Sequence, residues 1–167
     1  MSWKAISIRD WNKNPVKAIG DDWALVTAGT AEHYNTMTVS WGGVGVIWGK
    51  DAAFIFVRQS RYTLEFLERN DRFTIAFFPP EYRKALAFCG SKSGRDFDKA
   101  KETGLTPAFD GAPFFEEAST VLHCRKMAKY DLLPEGFLTE DAASNYTDGN
   151  YHRMFIAEIE RVCVRED

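Results

Sequence analysis

Two arginines and two aliphatic hydroxyls fall within six residues, Arg58-Gln59-Ser60-Arg61-Tyr62-Thr63. The apolar run Ala52-Ala53-Phe54-Ile55-Phe56-Val57 precedes them, and Leu64-Glu65-Phe66-Leu67-Glu68-Arg69-Asn70 follows. A buried strand therefore delivers this cluster to the start of a helix. Backbone N–H groups at a helix start lack partners, and the helix dipole favours an anion there. Guanidinium groups bind phosphate oxygens in pairs. The pattern points to a phosphorylated ligand, because hydrogen bonds to a charged group contribute roughly 1.5–3 kcal/mol each. A plain strand-to-helix turn capped by Ser60 is the competing reading.

Two other segments carry polar groups at useful spacing. In Asn35-Thr36-Met37-Thr38-Val39-Ser40-Trp41, Thr36, Thr38 and Ser40 alternate with Met37, Val39 and Trp41. Alternation of this kind marks a strand with one polar face. That face can bond the edge of a heterocycle, or it is an exposed edge. Ser91-Lys92-Ser93-Gly94-Arg95-Asp96 sets Lys92 and Arg95 beside a second helix start, and Gly94 permits close approach. It reads as a further anion contact or as a capped, charged loop.

Other chemistries are disfavoured. Val44 and Asp51 break a phosphate-loop pattern around Gly42–Gly49, and Trp48 stands where a dinucleotide motif needs its third glycine. His33, His123 and His152 show no metal-ligand spacing, so no metal is expected. His123 reads as packed in a strand. His152 reads as a surface residue, or as a contact for a second substrate. Cys89, Cys124 and Cys163 are too few and too scattered for a disulfide framework. No residue is singled out as a catalytic acid, base or nucleophile.

The 167 residues fit one domain, 1–167, with a sizeable core. A net charge of -3 supplies no broad positive field for nucleic acid or anionic membrane. Apolar runs are strand-sized, far from the roughly 20 residues that span a bilayer. The start of the chain has no apolar signal core, so a cytoplasmic protein is expected.

The elements that must position these groups follow from periodicity. Strands are expected over 23–30, 35–41, 52–57, 72–78, 119–130 and 154–164, with 44–48 ambiguous. Helices are expected over 62–70, 81–88 and 96–103. Residues 1–22 read as a lead-in arm, 108–113 as a loop, and 132–150 as a surface excursion that lines a site. Strands dominate and do not alternate regularly with helices. This favours a mainly β fold, an antiparallel barrel with short attached helices.

The three segments together, with Val57 before the arginines, Gly42 after Trp41 and Cys89-Gly90 and Lys99 around the third, resemble the flavin reductase-like FMN-binding split barrels. The flavoredoxin-type proteins are the nearest group, and the resemblance spans roughly residues 20–165. It implies a six-stranded antiparallel Greek-key split barrel, a homodimer and non-covalent FMN near the subunit seam. By motif, Arg58, Ser60, Arg61 and Thr63, with Tyr62 among them, would hold the phosphate, assisted by Lys92 and Arg95. Asn35, Thr36, Met37, Thr38 and Ser40 would meet the ring and ribityl chain, with Trp41 packed beside them. Family reductases often carry Gly-Asp-His before the last strand, whereas this chain has Gly149-Asn150-Tyr151-His152. The implied activity is flavin reduction by NADH or NADPH, with electrons passed to a small acceptor. The alternatives are an electron carrier reduced by a redox protein partner, and a packed barrel without cofactor.

Overall fold

A computed structural model describes residues 2–166. Its strands are β1 (Trp3–Ile6), β2 (Ala24–Gly29), β3 (Tyr34–Val39), β4 (Gly42–Ile47), β5 (Lys50–Arg58), β6 (Arg72–Phe77), β7 (Pro107–Phe109), β8 (Pro113–Phe115), β9 (Thr120–Asp131) and β10 (His152–Arg165). The helices are α1 (Pro15–Lys17), α2 (Thr63–Arg69), α3 (Arg83–Ser91), α4 (Lys99–Thr103) and α5 (Glu140–Ala143).

Eight strands form one antiparallel sheet in the order β3-β2-β6-β9-β10-β5-β4, with β1 added beside β10. The neighbours β2–β6 and β5–β10 are not consecutive, so the chain crosses over rather than meandering. The path ends at β3 and β4, which Ser40 and Trp41 join in the chain. The mainly β class holds, with more strands than the six expected. One extra strand lies in the arm: β1 pairs Trp3 with Arg165 and Ile6 with Val162. A separate hairpin, β7–β8, replaces the loop expected over 108–113.

The core lies inside the curved sheet. Alternate residues Ala53, Ile55 and Val57 of β5 meet Val26 and Ala28 of β2, Phe73 and Ile75 of β6, and Phe155 and Ala157 of β10. Burying each large side chain here contributes about 1.5–3 kcal/mol. α2 buries Leu64, Phe66 and Leu67 against this cluster through a stripe at helical spacing. Its end is fixed by Asn70, whose side chain donates to the Phe66 carbonyl at 2.8 Å. α3 and α4 cover the opposite side of β2 through Leu25, Leu86, Cys89 and Ala100. β3 is thus flanked by β2, α3 and α2, and Lys99 of α4 reaches its Thr36 carbonyl.

Candidate functional site

Two cavities meet at Met37 and Arg61. The first, about 230 Å3, is lined by Met37, Thr38, Val39, Ser40 and Trp41 from the end of β3, by Phe56 and Arg58 from β5, and by Arg61 and His152. The second, about 280 Å3, is lined by Asn35, Met37, Ser60, Arg61, Tyr62, Thr63, Ser91, Lys92, Ser93, Gly94, Arg95 and Lys99. Together they fall in the range of small-molecule sites, roughly 300–1,000 Å3.

The second cavity has four cationic side chains and no carboxylate in its wall. Arg61 is half-buried and donates to the Gly90 carbonyl at 2.7 Å. Its pKa is lowered, first by burial and then by the nearby Arg58 charge. Arg95 reaches the Ser60 carbonyl at 3.3 Å and lies over the Tyr62 ring at 4.8 Å. Lys92 is exposed at the rim. Lys99, only 6% exposed, donates to the carbonyls of Thr36 at 2.7 Å and Cys89 at 2.8 Å. Burial brings its pKa down to about 8, with the Arg61 charge acting in the same direction. An anion in the cavity would favour the charged ammonium. Lys99 lies in the motif that carries the resemblance, but its place in a helix of polar sequence gave no sign that it is buried.

The helix start is closed only in part: among the described residues the amide N–H groups of Tyr62 and Thr63, which line the cationic cavity, have no hydrogen-bond partner, as expected, while their neighbours are engaged. The amide N–H groups of Arg61, Leu64 and Glu65 bond the carbonyls of Arg58, Arg61 and Tyr62. Gln59 N–H bonds the Tyr151 carbonyl, and Ser60 N–H bonds Asn150 Oδ1 at 3.3 Å. Ser60 does not cap α2; its hydroxyl meets the Asn150 amide at 2.8 Å. Anion attraction at this corner therefore comes from side-chain cations and hydroxyls together with the two open amides of Tyr62 and Thr63.

β3 also differs from its alternating pattern. The Thr36 hydroxyl is buried against Thr27 at 2.8 Å, and the Thr38 hydroxyl is taken by the Leu86 carbonyl. The Thr36 carbonyl points outward to Lys99. Thr38, two residues along, presents its backbone on the same edge. Thr38 thus offers main-chain groups, not its hydroxyl, to the first cavity, whereas Thr36 lines neither cavity and spends its outward carbonyl on Lys99, contrary to expectation. Asn35 spends its side-chain N–H on Thr63 Oγ1 at 2.9 Å. Trp41 is 48% exposed at the mouth of the first cavity.

Residues 132–150, expected to line a site, line neither cavity; they pack behind the site, on Arg58 and Ser60. Phe137, Tyr146 and Tyr151 stack, and Arg58 lies 5.2 Å from the Tyr146 ring. Arg58 donates to the Asn150 carbonyl at 2.7 Å and the Asn145 carbonyl at 3.3 Å. One of the two arginines therefore anchors this segment. His152 is buried rather than at the surface, with Nδ1 2.8 Å from the Tyr146 hydroxyl and its ring 5.2 Å from Trp41. Burial, then Arg58 and Arg61, push its pKa down to about 4. His123 lies outside both cavities, packed as expected, and burial and Arg161 also lower it to about 4.

The two histidines set a pH dependence. An imidazole with a depressed pKa stabilises the fold fully above its unfolded value near 6.5. That contribution is lost as pH falls through about 4. The urea midpoint should therefore drop between pH 6.5 and 4, and His152→Gln should flatten part of the slope. An unchanged slope in that variant would remove His152 as a contributor.

Known proteins give a consistent picture. A family model described as the flavin reductase like domain matches residues 17–167. An FMN-binding domain of a flavin reductases-like enzyme from Shewanella baltica OS155 superposes with a TM-score of 0.69 at 18% identity, covering 98% of this chain and 77% of that one. Flavoredoxin from Methanosarcina acetivorans gives 0.67 at 22% identity, covering 87% and 69%. The NADH:FAD oxidoreductase SgcE6 of Streptomyces globisporus C-1027 gives 0.65 at 16% identity, covering 86% and 75%. Comparison with curated proteins finds no match. The family match extends from α1 to the end of the chain and takes in every residue lining the two cavities, so this chain belongs to the flavin reductase-like domain family.

Proposed function

We propose that the chain binds FMN and moves reducing equivalents from NADH or NADPH to an acceptor, as a cytoplasmic homodimer. One observation carries this reading: an acid-free cavity with four cations adjoins a second cavity with Met37, Trp41 and Phe56 in its wall. A mononucleotide has that division, a dianion at one end and a flat ring at the other. When bound, the flavin would supply the redox chemistry, accepting hydride and passing electrons on.

The chain's own residues bind, orient and shield. Arg61, Lys92 and Arg95, with Ser60 and Thr63, would hold the phosphate, and Lys99 stands behind them. The end of β3 at Met37–Val39 would meet the ring, Thr38 with main-chain groups. His152 stays neutral at pH 7, and the hydrogen bond between its Nδ1 and the Tyr146 hydroxyl fixes the ring's orientation. Trp41, Val46 and Trp48 lie exposed along and beside the edge strand β4, where a second copy would cover them.

A carrier without a nicotinamide site is the second reading. It is favoured by Asn150, whose side chain is spent on Ser60, so that within 149–152 only His152 lines the cavity. The purified protein should take up added FMN and acquire its visible absorption. Anaerobic mixing with NADH or NADPH should then bleach that absorption rapidly. Bleaching by dithionite alone would select the carrier, and failure to take up FMN would end both readings.

A further inference from the structure

Lys99 is a buried cation without a counter-ion. None of the ion pairs among the described residues includes it. Lysine is almost never so buried unless its charge is paired. Its ammonium has three N–H donors. Two go to carbonyls from different elements, Thr36 of β3 and Cys89 of α3. The third has no acceptor among the described residues, and the side chain forms part of the cationic cavity's wall. Arg61 is placed alike: it bonds the next carbonyl of α3, Gly90, and pairs with no carboxylate among the described residues. Carbonyls in the last turn of a helix lack intrahelical partners and form its negative end, so α3 offsets these two cations only in part. From Thr36, β3 runs on into Met37, Thr38 and Val39, which line the ring-side cavity. One nitrogen therefore joins the cationic cavity to the strand that walls the other.

We propose that a bound phosphate is the missing counter-ion of Lys99, and that Lys99 transmits its presence to β3, so that phosphate and flavin ring bind cooperatively. The inference rests on the phosphate assignment made above. A buried charge left uncompensated destabilises its surroundings. A dianion in the cavity removes that cost and holds the charged amine in place. The same amine then holds the Thr36 carbonyl, and with it the strand that meets the ring. A strand already ordered loses less conformational freedom when the ring docks. Lys99 is thus a positioning residue for the ring as well as a charge for the phosphate. Lys92 has only the second role. It sits at the rim, its ammonium 5.8 Å from the centre of the Phe97 ring, and attracts the same anion without a bond to β3.

The test splits the ligand in two. Riboflavin, which carries the ring but no phosphate, is titrated into the full chain with and without saturating inorganic phosphate at constant ionic strength; FMN is titrated in the same way. In wild type, phosphate should tighten riboflavin binding about 5- to 10-fold, a usual size for coupling between two sites. The same ion should weaken FMN binding, because it takes the place of the ligand's own phosphate. Lys99→Met should abolish the effect of phosphate on riboflavin. Lys92→Met should raise the phosphate concentration required but keep the full effect at saturation. A merely structural role for Lys99 predicts otherwise: riboflavin would weaken by one factor with and without phosphate, and its response to the ion would survive. That result overturns the inference, as does wild-type riboflavin binding that phosphate leaves unchanged or weakens. FMN held no more tightly than riboflavin by wild type would instead overturn the phosphate assignment, so the two failures are distinct.

Discussion

Arg61→Ala is expected to weaken FMN binding by about 10- to 100-fold while leaving riboflavin binding nearly unchanged. Arg61 lines both the cationic cavity and the ring-side cavity, so its guanidinium stands where the two ends of a mononucleotide would join. One charge-assisted hydrogen bond contributes roughly 1.5–3 kcal/mol, and each 1.4 kcal/mol is about tenfold in affinity. Burial and the Arg58 charge make the free site costly for this cation, so a dianion relieves an existing strain in the electrostatics. Arg58→Ala differs in mechanism. Arg58 is directed at the carbonyls of Asn145 and Asn150, and its loss should loosen residues 132–151 and weaken FMN and riboflavin alike. Fluorescence titration of both ligands against both variants checks this division. Equal loss of FMN and riboflavin in Arg61→Ala would show that Arg61 does not act on the phosphate.

The corner at 58–63 was legible because its signal is local: a buried run, a polar cluster and a helical stripe follow one another in the chain. The alternation in β3 was equally local, and the strand lies where it was expected. What alternation could not say is where each hydroxyl goes. Thr36 and Thr38 share a polar pattern, yet one hydroxyl meets Thr27 and the other the Leu86 carbonyl, partners set by tertiary packing. β1 escaped notice for a related reason. Four residues carry little periodic signal, and the partners of Trp3–Ile6 lie at the other end of the chain, residues 162–165. Lys99 and His152 are the larger misses. Lysine is almost never fully buried unless its charge is paired, and composition gives no hint of the two carbonyls that receive Lys99. His152 needs Tyr146, Trp41 and Arg58 around it, from three separate segments, before its burial makes sense.

Gly94→Ala should be the most damaging small substitution at the site, with FMN affinity lowered about 100-fold and stability lowered by about 1–3 kcal/mol. A Cβ on Gly94 would lie 2.0 Å from Asn35 Oδ1 and 2.7 Å from Asn35 Cγ, distances no real contact tolerates. Two responses are open, and each harms the cavity. If Asn35 turns away, it gives up its bond to Thr63 Oγ1, and a buried amide is left unpaired at a cost of about 1–3 kcal/mol. If residues 91–95 move instead, they displace Ser93 and Arg95, and with them the contact from Arg95 to the Ser60 carbonyl. Space alone separates this from a general fold defect. In an Asn35→Ala background the obstructing amide is gone, so adding Gly94→Ala should cost little more in either stability or affinity. A double-mutant cycle read by urea melts and FMN titration measures that coupling. Additive losses would place the damage in the loop's own backbone and not in the close approach of Gly94 to Asn35.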